Sequence, residues 1–209
     1  RLYAQGGYRY CDLLLAGPER AAWCRVMGTA THVDPAVLAA CSAVIERAQQ
    51  ALQWGQRSGL SLLNIALDHL TLGRAALYCA ALDTSGPDYT TARAHLDAAV
   101  NGLRRAGQQD ELPRGLLSRA LLRALTDHLT GPNSAQEDLD EAWDIAAPGP
   151  MRLFIADIHL YRARLFARVT PYPWQSPRAD LAAARALIER CGYNRRLDEL
   201  ADAESILLQ

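Results

Sequence analysis

Apolar residues recur along this chain at spacings of three and four, and strict alternation is nowhere sustained. That is the helical period, not the period of a half-buried strand. The periodic segments run for about 14 to 22 residues. Turn-forming clusters separate them: SGL at 58–60, TSGPD at 84–88, GQQDELP at 107–113, TGPNS at 130–134, APGP at 147–150 and TPYPWQSP at 170–177. Ser134 precedes Glu137 at the capping-box spacing, and Asp88 and Ser176 stand where N-caps belong.

The pattern repeats. Ala92, Leu96 and Ala99 have the same spacing as Ala135, Leu139 and Ala142. Leu181 and Ala184 follow suit, with Pro177 at the first turn, and Cys41, Ile45 and Ala48 fit the same template. LDAA at 96–99 and LDEA at 139–142 are near copies, and the large residue returns about every 42 positions. A second motif precedes each triplet: YRYCDLL at 8–14, GRAALYC at 73–79, LRALTDH at 122–128 and YRARLFA at 161–167. Small residues at fixed offsets let two helices approach closely, while the leucine fills the space between hairpins.

LTLGRAALY followed by GPDYTTARAHLDAA resembles the tetratricopeptide repeat family, with Leu72, Gly73, Tyr89, Ala92, Leu96 and Ala99 in that family's order. Tyr8, Leu122 and Tyr161 stand where its glycine belongs in the other units, and the period exceeds the family's 34 residues. The resemblance implies an all-α fold: antiparallel helix hairpins stacked into a right-handed α-solenoid. It also implies kinship with the sensor tails of large bacterial signalling proteins. A single domain over 1–209 is expected, with hairpins at about 1–57, 60–107, 111–147 and 150–191 and a capping helix at 194–208. That helix carries Asp198, Glu199, Asp202 and Glu204, a polar outer face of the kind a repeat end needs. The link from 16 to 36 is the longest connection.

A net charge of −1 gives no reason to expect nucleic acid or an anionic membrane surface, and no run of about 18 apolar residues is present. No secretory leader is visible, and Arg1 opens on a helix in progress, as in a piece of a longer cytoplasmic protein. The five cysteines are odd in number and widely spaced, with no C-x-x-C, so free thiols are expected rather than disulfides or zinc. Phosphate-loop, nucleophile-elbow and H-E-x-x-H motifs are absent. His32, His69, His95, His128 and His159 are spread one per segment. The expectation is a chain that is not an enzyme and has no cofactor and no metal. Trp23, Trp54 and Trp143 read as core, and PYPWQSP at 171–177 as a packed turn.

One polar feature recurs. Aligning the first helices superimposes Arg9, Arg74, Arg123 and Arg162, with Arg119 one turn before Arg123. By resemblance this position faces the concave groove of the array. Arginine there, with Tyr78, Tyr161 and Phe166 beside it, would grip the carboxylates of an acidic peptide or protein segment. Asp97 and Asp140 recur in register as well, so the same arginines also fit a structural ladder that ties hairpins together. The expected function is therefore a protein- or peptide-binding module, a sensor or docking part of a larger protein. Self-association without a groove ligand is the alternative, and nucleic acid is disfavoured by the charge.

Overall fold

A computed structural model describes residues 4–29, 32–149 and 151–208. Residues 1–3, where the first expected unit begins, and Pro150 of the APGP turn lie outside the described residues. Among the described residues the fold is all-helical, with ten α-helices: α1 (Ala4–Leu14), α2 (Ala16–Val26), α3 (Pro35–Arg57), α4 (Leu62–Leu82), α5 (Thr90–Ala106), α6 (Leu112–Leu125), α7 (Ala135–Ala146), α8 (Arg152–Phe166), α9 (Pro177–Cys191) and α10 (Leu197–Leu207). A single 3-10 turn, Asn194–Arg196, leads into α10. No described helix is long and apolar enough to cross a membrane.

Each helix packs on its chain neighbours: α3 on α4, α4 on α5, α6 on α7, α8 on α9. Between these pairs α5 touches α6 and α7 touches α8, while α4 meets α6 and α6 meets α8. The caps follow the sequence. Ser134 Oγ accepts the Glu137 N–H at 3.3 Å, and Glu137 reaches back to the Asn133 N–H at 2.6 Å. Ser176 Oγ accepts the Ala179 N–H at 3.1 Å. Asp88 sits one residue ahead of the cap position, Tyr89, yet still accepts the Thr90 N–H at 2.9 Å.

The small–large–small triplets all face inward. Ala92, Leu96 and Ala99 are buried, as are Ala135, Leu139 and Ala142, then Leu181 and Ala184. On α3, Cys41 and Ala48 are buried, and Ile45 is partly so. Gly73 explains the closest of these approaches. A Cβ built there would stand 2.7 Å from Leu96 Cγ and 3.0 Å from the Leu96 backbone nitrogen. The missing methyl group is what lets α5 seat its leucine against α4.

The N-terminal third departs from the expectation of one hairpin over 1–57. The 16–36 connection holds a whole helix, α2, so three helices precede α4. Locally the reason is plain: Pro18 lies in the first turn, where its missing N–H removes nothing, Glu19 complements the helix N-terminus and Arg25 its C-terminus. Both α1 and α2 pack on α3 and α4. Trp23 is buried, whereas Trp54, expected in the core, is 45% exposed. The 171–177 turn is packed as expected, with Trp174 edge-on to Phe166 at 4.9 Å.

Replacing Gly73 by Ala is expected to lower stability by about 1–3 kcal/mol, in spite of the ~1 kcal/mol helix-propensity gain. Gly17, which has nothing within 4 Å of a built Cβ, serves as the control and should be neutral or stabilising as Ala. Urea midpoints at unchanged denaturant dependence would check both.

Candidate partner-binding face

The eight residues expected to line one surface lie in five different places. Arg9 is exposed on α1, outside the row formed by α4, α6 and α8, so its alignment with the other arginines does not carry into space. Tyr78 and Phe166 are fully buried in the main core. Arg162 is buried between α8, α7 and the 171–177 turn. Its guanidinium stacks on Trp143 at 4.7 Å and on Trp174 at 4.4 Å, and it pairs with Asp140 at 3.3 Å.

Arg119 and Arg123 lie between α6 and α7. Arg119 holds Asp138 through two hydrogen bonds, at 2.7 and 3.1 Å, and reaches Asp97 at 3.5 Å. Arg123 bonds the Ser134 carbonyl and Asp138, both at 3.0 Å. The spatial counterpart of Arg162 is thus Arg119 rather than Arg123. Arg119 meets Asp97, and Arg162 meets Asp140, across the same separation of 22 residues. One helical turn of misregister separates the linear alignment from the three-dimensional one. Arg119 and Arg123 border a polar cleft of about 500 Å³, where Arg93 and Arg104 face Glu137 and Glu141. Opposite charges balance around that cleft.

Arg74 belongs to a different and much larger assembly. The residue is 1% exposed, and its guanidinium binds Asp12 of α1 at 2.6 Å and Glu19 of α2 at 3.3 Å. Asp12 also receives Arg114 of α6 at 3.1 Å and Arg195 at 2.5 Å. Glu19 receives Arg195 at 3.1 Å and Arg196 at 3.0 Å. Arg196 continues to Asp157 of α8 at 2.8 Å and to Glu199 of α10, which in turn pairs with Arg164 at 3.0 Å. Beside this chain of charges, Trp23 sits edge-on to Tyr161 at 4.7 Å, with the Arg164 guanidinium 4.7 Å from its ring. On the half-exposed border Arg20 binds Asp202 at 2.8 Å and Asp198 at 2.7 Å. The α1–α2 segment therefore packs on α3 and α4, and its Asp12, Glu19 and Trp23 side chains reach α6, α8 and the turn before α10, where arginines from elsewhere in the chain meet them.

This also corrects the expectation for α10, whose acids do not form a free polar face. Glu199 is buried, Asp198 and Asp202 hold Arg20, and Glu204 pairs with Arg185 of α9. The helix is fastened by charge on both sides.

The electrostatics follow from this crowding. Burial opposes the charge on Glu19, but the guanidiniums of Arg196, Arg74 and Arg195 outweigh it and hold the carboxyl at about 2. Asp12, likewise opposed by burial, is pulled well below the usual carboxylate range by Arg74, Arg114 and Arg195. Elsewhere His69 and His95 approach through their Nδ1 atoms at 2.8 Å, and no group of three or more metal-binding side chains occurs among the described residues.

Comparison of the chain with protein-family models, curated proteins and solved structures finds no match.

Asp12, Glu19, Trp23, Arg114, Asp157, Arg164, Arg195, Arg196 and Glu199 were not singled out from the sequence as parts of one site. A signal was present: Asp157 and Arg164 interrupt an apolar helix, and YNRRLDEL packs four charges into eight residues. Their pairing was hidden, because partners are separated by up to 183 residues.

Two expectations follow. Glu19→Gln removes one charge from a buried ion cluster and should lower stability by about 3–5 kcal/mol, read from urea unfolding. Because the folded state depresses the Glu19 carboxyl, its contribution is fully present above about pH 4.5 and is lost as pH falls toward 2. A circular dichroism titration should show on the order of 3 kcal/mol of acid lability in the wild type that is absent from the Gln variant.

Proposed function

We propose that this chain is a non-enzymatic protein-binding module, an antiparallel helix-hairpin array of the tetratricopeptide type. The face built by α4, α6 and α8 recognises an acidic helical segment. The observation that carries this reading is the grip of Arg74, Arg114, Arg195 and Arg196 on Asp12 and Glu19. Guanidiniums are suited to it, since each offers several donors in fixed geometry to a carboxylate. Asp12 and Glu19 are held mainly by arginines that the linear alignment passed over, which supports a face suited to carboxylates. In a larger cytoplasmic signalling protein, a module of this kind would act as the sensor or docking part.

The test places a protease site at residues 29–32, cleaves the folded chain there, and adds a labelled peptide of residues 4–29. The cleaved body is expected to bind the peptide, with affinity falling steeply as salt rises because several ion pairs form. A peptide carrying Glu19→Lys should bind at least about tenfold more weakly. A body that keeps its helical signal yet takes up no peptide would defeat the proposal.

A further inference from the structure

Two thiols meet across the first long helix pair. Helices α3 and α4 are joined by the short turn at 58–61 and pack on each other. Cys41 lies nearly as far before that turn as Cys79 lies beyond it, so antiparallel packing sets the two opposite each other. Ala48 and Leu72, which obey the same register nearer the turn, share one buried cluster. Ala75 and Ala76 stand one turn before Cys79 and leave little bulk between the two backbones there. The Cys41 side chain is buried, and its thiol donates a hydrogen bond to the sulfur of Cys79, which is half-buried at the edge of the core.

That hydrogen bond divides the pair chemically. Received at Cys79, it favours the thiolate and holds this thiol at about 7 against the effect of burial. At Cys41 the same bond and burial push the thiol up, so it keeps its proton. Cys11 and Cys24 are also pushed up, in both cases chiefly by burial. Cys79 is thus set apart from them as a nucleophile, and a second sulfur is already in contact with it. A partly accessible thiolate beside a resolving thiol is what a dithiol needs in order to close on oxidation. The bond itself demands Cα atoms within roughly 4.4–6.8 Å, an approach that small residues at a helix crossing permit.

We propose that Cys41 and Cys79 are an oxidation site, closed to a disulfide by a hydroperoxide, and that the disulfide staples α3 to α4. The Cys79 thiolate attacks one peroxide oxygen, and the O–O bond breaks. The other oxygen leaves with a proton as water or an alcohol, and Cys79 becomes a sulfenic acid. The Cys41 sulfur then attacks the Cys79 sulfur: the S–S bond forms, the S–O bond breaks, and hydroxide departs as water with the Cys41 proton. The two sulfurs together lose two electrons, which the peroxide gains. The staple closes a long loop around the 58–61 turn and so restricts the unfolded chain. Because α1 and α2 pack on the same two helices, it also fixes the support on which they rest. This inference is independent of the proposed function, since it uses none of the arginines of the carboxylate-binding face.

The experiment treats the reduced, folded chain with a small excess of hydrogen peroxide at neutral pH. Remaining thiols are alkylated in denaturant and the peptides mapped by mass spectrometry. The expected product is a peptide pair linked through Cys41 and Cys79, at least about tenfold more abundant than any other cysteine pairing. Cys11, Cys24 and Cys191 should be recovered alkylated. The oxidised chain should unfold at a higher urea concentration, and dithiothreitol should reverse the gain. In Cys41→Ala, dimedone should trap a sulfenic acid at Cys79, and the pH midpoint of Cys79 alkylation should climb from about 7 toward the ordinary thiol range. A folded wild type that gives no Cys41–Cys79 link, or gives it only after denaturation, overturns the site, and this map is read without the variant. A folded Cys41→Ala chain whose Cys79 midpoint stays near 7 overturns the role of Cys41 as donor.

Discussion

A carboxylate with almost no exposure, Glu19, sits among three guanidiniums, and the arrangement of both ends of the chain depends on it. A buried charge is tolerable only when its lone pairs are filled by partners of opposite sign. Here the partners come from α4 and from the turn before α10, so satisfying one side chain draws residue 19 to residues 74, 195 and 196. Asp12 repeats the requirement on α1, with Arg74, Arg114 and Arg195. The ends of the chain are thereby tied across the helices between them. Apolar burial alone would not select that register, because it carries no direction.

Away from this cluster the helices are organised by steric fit. Leu96, Leu139 and Leu181 are buried on α5, α7 and α9, and the residue just before each is polar. His95 meets His69, Asp138 meets Arg119 and Arg123, and Asp180 meets His159 at 2.6 Å and the Tyr172 hydroxyl. In each pair a polar contact thus joins the two helices beside the leucine, with different chemistry every time. Such contacts fix how one helix is rotated against the other, since a buried polar group left unpaired costs more than a displaced methyl group.

The arginines divide between these two kinds of order. Arg119 and Arg162 bridge neighbouring hairpins through Asp97 and Asp140, the partners whose register in the sequence first suggested a ladder. Arg162 is further held between two indoles, one supplied by the 171–177 turn, so that turn acts on the same side chain as the helix pair before it. Arg74 meets no hairpin aspartate, since the preceding helix α3 contains none, and α1 and α2 supply Asp12 and Glu19 in its place. A recurring residue type in a repeat is therefore not a recurring role: the neighbour that covers each copy decides what it does.

The helix pairs from 60 to 191, the terminal helix and the inward triplets were legible in the sequence, because periodicity, turn residues and close-packed small side chains are local properties that survive without knowing the neighbours. The glycine at 73 could be assigned a packing role for the same reason. The helix at 16–26 was missed: it is short, its apolar face is narrow, and much of its attachment is ionic rather than apolar. The one-turn error in the arginine register and the burial of Glu199 have a common cause. Which charge meets which across nearly the whole chain is a three-dimensional fact, set by how the helices lie once packed. The sequence by itself determined an all-helical chain of repeated pairs and the faces those pairs bury. Only the tertiary structure decided that Asp12 and Glu19 of the N-terminal helices meet arginines of α4, α6 and the turn before α10, since charges are paired by proximity in space and not by spacing along the chain.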